Sequence, residues 1–254
     1  MIVIDGDVHI SSESDINQNK ITSEELLKIM EENQVDKALP SPKLSYTRQV
    51  KDDNKAIAEA QNKYPNKIIG VGGINPRLGI ESSLEELNIC IKKYKFKAIK
   101  FNGARDDYYI DDKELTYPFF EEMSSKNIIL ILHSGADEPD KTHPWRVARI
   151  AKDFPNLKIQ MNHLGGVRKP GLYEAAIEAA IKHNNIFLVG SEADPKAIIK
   201  AIDVLGAEKV AYGSDAPFVP MNVALAIYMA ILKKYSQFEK ELIMGLNLKK
   251  LYDI

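Results

Sequence analysis

Cysteine occurs once, at Cys90, so no intrachain disulfide and no cysteine-based zinc knuckle can be built. Basic charge is not in surplus. Lysine and arginine number 34 against 36 aspartates and glutamates, a formal charge of −2, which leaves little to draw in nucleic acid. Long apolar runs are also missing: the longest, VALAIYMAIL at 223–232, is too short to cross a bilayer. The opening MIVIDGD meets a charge at position 5, unlike a secretory signal. No Walker lysine motif and no G-x-S-x-G nucleophile elbow occurs. What remains is a chain of 254 residues, 44% hydrophobic and 28% charged, ordinary values for a globular protein. The expectation is a soluble, cytoplasmic protein that acts on a small molecule, without nucleic-acid or membrane partners.

What the chain does have is alternation. Short β-rich apolar runs stand at IVI (2–4), KALP (37–40), KIIGVGG (67–73) and KAIKF (97–101). They continue at IILILH (128–133), LKIQMNH (157–163), IFLVG (186–190) and VAYG (210–213). Several are apolar on consecutive positions, as strands of a buried parallel sheet are. Helical patterns lie between them at 23–33, 54–64, 82–94 and 144–154, with Thr22 or Ser23, Ser82 and Thr142 as N-cap candidates. Eight repeats of strand and helix at this length predict a single (β/α)8 barrel domain over 1–254, with two C-terminal helices near 220–233 and 236–252 closing it. A doubly wound open sheet is the competing arrangement. Gly70-Val71-Gly72-Gly73 resembles a dinucleotide fingerprint, but Asn75-Pro76 follows where a helix should open, so the signal is weak. Cys90 sits inside a helical apolar pattern and reads as core.

A barrel places reactive residues at the C-terminal ends of its strands. Asp7 and His9 follow the first apolar run two positions apart, so on an extended strand they share a face, about 6.6 Å apart. His133 ends the fifth run, His163 the sixth, and Asp215 follows the eighth in GSDAPF. Each alone suits a structural role: a hydrogen-bonded histidine, a turn aspartate, a loop cap. Together they are five metal-competent side chains at the same end of four strands, and a structural explanation needs a separate accident at each. His183 ends a helix beside Asn184-Asn185 and reads as a C-terminal cap. His143 lies in the loop after the fifth run, on the predicted active face.

The ordered set of D-x-H at strand one, AIKF at strand four, LHSG at strand five, NHLGG at strand six and GSDAPF at strand eight resembles the amidohydrolase-2 branch of the amidohydrolase superfamily. That branch holds metal-dependent hydrolases and decarboxylases related to aminocarboxymuconate semialdehyde decarboxylase. The resemblance runs from Ile4 to beyond Phe218. It implies His9 and His133 as ligands of one divalent ion, Asp215 as ligand or proton acceptor, and His163 as a catalytic or additional metal-binding histidine. The family usually carries His-x-His at strand one, and Asp7 replaces the first histidine here. With Asp7 counted, the ligand set is Asp7, His9, His133 and Asp215, for which zinc is the expected ion and manganese or iron the alternatives. Some relatives in this branch, the pyrone-dicarboxylate lactonases, work without metal. Lys100 in AIKF is read as unmodified and pointing toward the site.

Such an ion lowers the pKa of bound water to about 7 and polarises a carbonyl, which gives hydrolysis of a small amide, lactone or ester. The same parts, with protonation of a ring or enol carbon, give loss of CO2 instead, and a barrel that has lost its chemistry is a third reading. Only six arginines occur, and Arg48, Arg77, Arg105 and Arg168 fall in loops on the predicted active face. Arginine forks suit carboxylates, so an anionic substrate is expected, with Lys100 and Arg105 as binding residues. The apolar stretch 223–232 serves either a homodimer interface or burial within the monomer.

Overall fold

Consecutive apolar residues produce strands covered on both faces, and the eight runs become eight parallel strands among the described residues. The structure is a computed structural model that describes residues 1–12, 21–43, 50–167 and 169–254; Arg48 and Arg168 lie outside them. The strands are β1 (Ile4–Ile10), β2 (Lys37–Pro42), β3 (Val71–Gly73), β4 (Ala98–Phe101), β5 (Ile129–Leu132), β6 (Ile159–Met161), β7 (Ile186–Val189) and β8 (Val210–Ala211). The helices are α1 (Ser23–Glu32), α2 (Val50–Lys63), α3 (Ile80–Lys92), α4 (Tyr117–Ser125), α5 (Pro139–Thr142) and α6 (Pro144–Asp153). They continue as α7 (Pro170–Lys182), α8 (Pro195–Leu205), α9 (Met221–Ile231), α10 (Gln237–Glu241) and α11 (Asn247–Tyr252).

Strands β3 to β8 pair in sequence order, and β1 pairs with β2. Backbone hydrogen bonds span both seams: Ile69 N to Ala38 O at 3.0 Å on one side, Gly6 N to Tyr212 O at 3.1 Å and His9 N to Ala216 O at 2.8 Å on the other. The circuit is that of a (β/α)8 barrel rather than a doubly wound sheet.

Side chains alternate between the interior and the helix layer, as the strand period requires. Ala98, Ile129, Ile131, Val189 and Ala211 share an interior apolar cluster with Ile4, Leu39 and Val71, while Ile99, Phe101, Leu130, Leu132 and Leu188 pack outward. Leu248, Leu251 and Tyr252 of α11 join the interior cluster and seal its lower end. The Tyr252 hydroxyl donates to Gln160 Oε1 at 2.7 Å, and Gln160 Nε2 donates to Gly6 O at 3.0 Å and Asn162 Oδ1 at 2.9 Å. This buried chain links the sealed floor to β1 at Gly6 and to Asn162 just beyond β6.

Local details depart from the sequence reading where tertiary contacts decide. Strand β1 carries Asp7 and His9 on one face, as expected, and begins at Ile4, later than the 2–4 run does. Thr22 caps α1 in a reciprocal box with Glu25. Ser82 lies inside α3 and donates back to Leu78 O at 3.1 Å, so it is not a cap. His143, not Thr142, caps α6 by accepting from Trp145 N at 3.2 Å. Of the two expected terminal helices, the second is broken into α10, a π-turn at Leu242–Leu246 and α11. Helix α9 buries Ala224, Tyr228 and Ile231 while Val223 and Met229 stay exposed. No helix of the described residues is long and apolar enough to cross a membrane. The Gly70–Gly73 run is packing: a Cβ at Gly70 would come within 2.3 Å of the Phe96 ring.

Two expected outcomes follow from these contacts. Tyr252→Phe leaves Gln160 Oε1 buried and unpaired, at a cost of about 1–3 kcal/mol, read as a lower denaturant midpoint. Asp111 joins the 102–116 loop to α6 through Arg146 at 2.7 Å and Arg149 at 2.6 Å. Burial opposes its charge, but hydrogen bonds from both arginines hold its carboxyl below the usual range. That contribution is present above the ordinary carboxylate pKa and lost as pH falls through the lowered value. Thermal melts of Asp111→Asn therefore fall below wild type at neutral pH and converge with it in strong acid.

Candidate metal and substrate site

Asp7 and His9 project inward from β1, Lys100 from β4, and His133, His163, Ser191 and Asp215 stand at or just beyond the ends of β5 to β8. At and beside these positions some non-glycine backbone is left-handed: His163 has φ 58°, Glu192 φ 53° and Asp215 φ 65°. Left-handed conformations at non-glycine residues cost about 1–3 kcal/mol each and persist because neighbours fix them. One such constraint is close backbone contact between the β5 and β6 ends. A Cβ at Gly135, itself at φ 62°, would lie 1.7 Å from Gly165 O; Ser134 Oγ also donates to Asn162 O at 2.6 Å. This contact brings His133 and His163 together.

Hydrogen bonds constrain the ring tautomers. His163 Nδ1 lies 3.0 Å from Ser191 O, which only accepts, so this ring carries hydrogen on Nδ1 and, when neutral, presents the Nε2 lone pair inward. His9 Nδ1 lies 3.2 Å from Pro42 O, an acceptor, and 3.3 Å from Ser41 Oγ, which can donate to it, and Nε2 faces inward. His163 Nε2 meets His133 Nδ1 at 3.0 Å. Burial, with His163 and Lys100 nearby, holds His133 well below the usual imidazole range. Neutral His133 therefore donates from Nδ1, and its buried Nε2 has no hydrogen-bond partner among the described residues.

His9 Nε2 faces Asp215 Oδ1 at 3.1 Å and Asp7 Oδ1 at 3.8 Å. Contact between this nitrogen and the carboxylate oxygens is attractive with a proton or a metal cation between them. Ligand atoms of Asp7, His163 and Asp215 lie within 4.8 Å of one another, all buried. Imidazoles whose outer nitrogen is held by a carbonyl, converging with two carboxylates, fit one divalent cation. All five expected residues are thus brought together. The tight group is Asp7, His163 and Asp215, with His9 against both carboxylates and His133 one ring removed.

Asp7 carries two further donors. Lys100 Nζ donates to Oδ1 at 2.8 Å and the Ser191 hydroxyl to Oδ2 at 2.7 Å. Burial alone would push its carboxyl up, but Lys100, His9 and His163 together bring it well below the usual range. Asp5, two residues earlier, takes Ser214 N at 2.9 Å and is pushed by burial up to about 7; it anchors the loop that carries Asp215.

A cavity of about 570 Å³ opens above the cluster, lined among others by His9, Lys43, Lys100, Arg105, Asp215 and Phe218. Lys43 and Ser191 were not candidates on sequence, since neither type stands out there; Lys43 ends only 3% exposed, with no hydrogen-bond partner for Nζ among the described residues. Phe218 sets its edge on His9, ring centroids 5.2 Å apart, beneath the Lys43 ammonium at 6.0 Å. Arg105 reaches the cavity, but its guanidinium is held by buried Asp106 at 3.2 and 3.4 Å. Arg77 is tied to Asp107 and is not among the cavity-lining residues; nor is His143, which caps α6.

The sequence profile of the amidohydrolase family matches residues 24–254. The chain belongs to that family. It is 26% identical over 229 residues to a 2-amino-3-carboxymuconate-6-semialdehyde decarboxylase of Dictyostelium discoideum, a match that covers 76% of this chain and 63% of that protein's length. The fold is shared with a 5-carboxyvanillate decarboxylase of Novosphingobium aromaticivorans solved with manganese and 3-methoxy-4-hydroxy-5-nitrobenzoic acid. There the TM-score is 0.79 at 17% identity, covering 100% of this chain and 97% of the other. A 2,6-dihydroxybenzoate decarboxylase from Rhizobium gives 0.79 at 16% identity, covering 100% and 99%.

Ser191→Ala removes the neutral donor that orients Asp7. Loss of an outer-shell partner typically costs about 10–100-fold in metal affinity, and calorimetric titration of the metal-free variant with Mn2+ is expected to show a loss in that range.

Proposed function

We propose that this protein is a divalent-metal-dependent, non-oxidative decarboxylase of a small aromatic carboxylic acid. The observation that carries the reading is Lys43: a buried ammonium without a partner among the described residues, over an aromatic ring, in the wall of the cavity above the carboxylate–imidazole cluster. A buried charge left unpaired is costly, and an anionic substrate would supply the missing partner. That charge also suits the hydrolytic reading of a small anionic amide, lactone or ester, so Lys43 supports the acid group and the decarboxylases among the relatives favour loss of CO2 over hydrolysis.

Asp7, His9 and Asp215 would hold the ion, with His163 as a further donor once its Nε2 is released from the His133 N–H, the ion being zinc with nitrogen and oxygen ligands or manganese as in the Novosphingobium relative. When bound, the ion would neutralise charge on the substrate's oxygens and fix their position. Lys43 pairs with the substrate's negative charge and Phe218 packs against its ring. Asp215, buried against His9, takes the proton of a substrate ring hydroxyl and delivers it to the ring carbon that bears the carboxylate. A C–H bond forms there, the C–C bond to the carboxylate breaks, its electron pair returns to the ring and CO2 leaves.

The test is incubation of the Zn2+- or Mn2+-loaded protein with a panel of hydroxybenzoates, following CO2 and the phenolic product. Equimolar CO2 and phenol are expected, with Asp215→Asn slower by about 10²–10⁴-fold. Turnover confined to amides or lactones, with a new acid group and no CO2, would overturn the reading.

A further inference from the structure

The two donors on Asp7 differ in kind. The Ser191 hydroxyl on Oδ2 is neutral and orients the carboxylate; the Lys100 ammonium on Oδ1 orients it and adds a charge. Lys100 is 8% exposed and lines the cavity, so its charge is felt both by whatever sits among Asp7, His163 and Asp215 and by whatever enters from above. Buried charges are screened far less than surface ones.

The other groups around the cluster do not duplicate this charge. Arg105 is paired with Asp106. Asp137, 3.7 Å from His133, is largely in solvent with its side chain 81% exposed. Lys43 lines the same cavity over Phe218 and hydrogen-bonds none of these carboxylates among the described residues. With neutral imidazoles, Asp7, Asp215 and Lys100 together carry one net negative charge. A divalent ion turns that into one net positive charge, whereas without Lys100 the loaded cluster would be neutral.

We propose that Lys100 is the internal counter-charge of the site: it weakens the hold on the divalent ion and keeps one positive charge in reserve for an anionic substrate. This rests on the metal-dependent reading above. The two effects have opposite signs, which a merely structural lysine would not produce. Removing a packing residue loosens both ligands; removing this charge tightens one and loosens the other.

The experiment uses Lys100→Gln, which keeps an N–H for Asp7 Oδ1, and Lys100→Met, which does not. Metal-free proteins are titrated with Mn2+ by calorimetry, and the Mn2+-loaded proteins are then titrated with salicylate. Lys100→Gln is expected to bind Mn2+ at least about tenfold more tightly than wild type, Lys100→Met by a smaller factor because Asp7 also loses an orienting donor, and both to bind salicylate at least about tenfold more weakly. The rise in melting temperature on adding Mn2+ is expected to be larger in Lys100→Gln than in wild type. If Lys100→Met does not fold, Lys100→Gln reads the same quantities. Unchanged or weaker Mn2+ binding, or unchanged salicylate binding, in the folded variants would overturn the role of Lys100 while leaving the metal site intact. Failure of wild type to bind Mn2+ or Zn2+ would overturn this proposal together with the metal-dependent reading.

Discussion

Two carboxylates, Asp7 and Asp215, are buried side by side at the barrel mouth, and the site's architecture answers that fact. Isolated carboxylates are strongly disfavoured away from water, so each must be given donors or positive charge. Asp7 receives an ammonium from β4 and a hydroxyl from beyond β7; Asp215 receives an imidazole edge from β1. These partners come from different strands, so the cluster exists only when the barrel is assembled. It also leaves lone pairs aimed inward, the requirement for holding a cation.

The scaffold supplies the rigidity this needs. The apolar interior cluster and the α11 seal fill the lower barrel, so polar side chains gather at the upper end. Left-handed backbone at His163, Glu192 and Asp215, together with the close Gly135–Gly165 approach, sets side-chain directions that relaxed strands would not give. Strain of this kind concentrates at functional sites. Asp5 and Asp106 play supporting parts, one fixing the Asp215 loop and the other Arg105.

Much of the fold was legible along the chain. Parallel barrel strands are buried on both faces, so their apolar runs stand out, and the helices between them keep the amphipathic period. The N-caps were legible only where local geometry decided, as at Thr22; at Ser82 and Thr142 neighbouring helices and turns moved the boundary. Asp7, His9, His133, His163 and Asp215 were visible because ionisable residues are rare at the ends of apolar runs. Ser191 and Lys43 were not, because serine and lysine are common and their meaning depends on contacts such as Ser191 to Asp7, across 184 residues. Arg105 was expected to bind the substrate's carboxylate, and its neighbour Asp106 occupies part of the guanidinium.

The amino-acid order thus determined the alternation of strand and helix and, with it, which end of the barrel carries reactive groups, because both follow from periodicities a few residues long. Tertiary structure decided which nitrogen of each histidine faces inward, that Lys100 belongs to Asp7, and that Lys43 is left without a partner among the described residues. Those outcomes depend on distances between residues far apart in the chain, and such distances exist only once the strands have closed around a common axis.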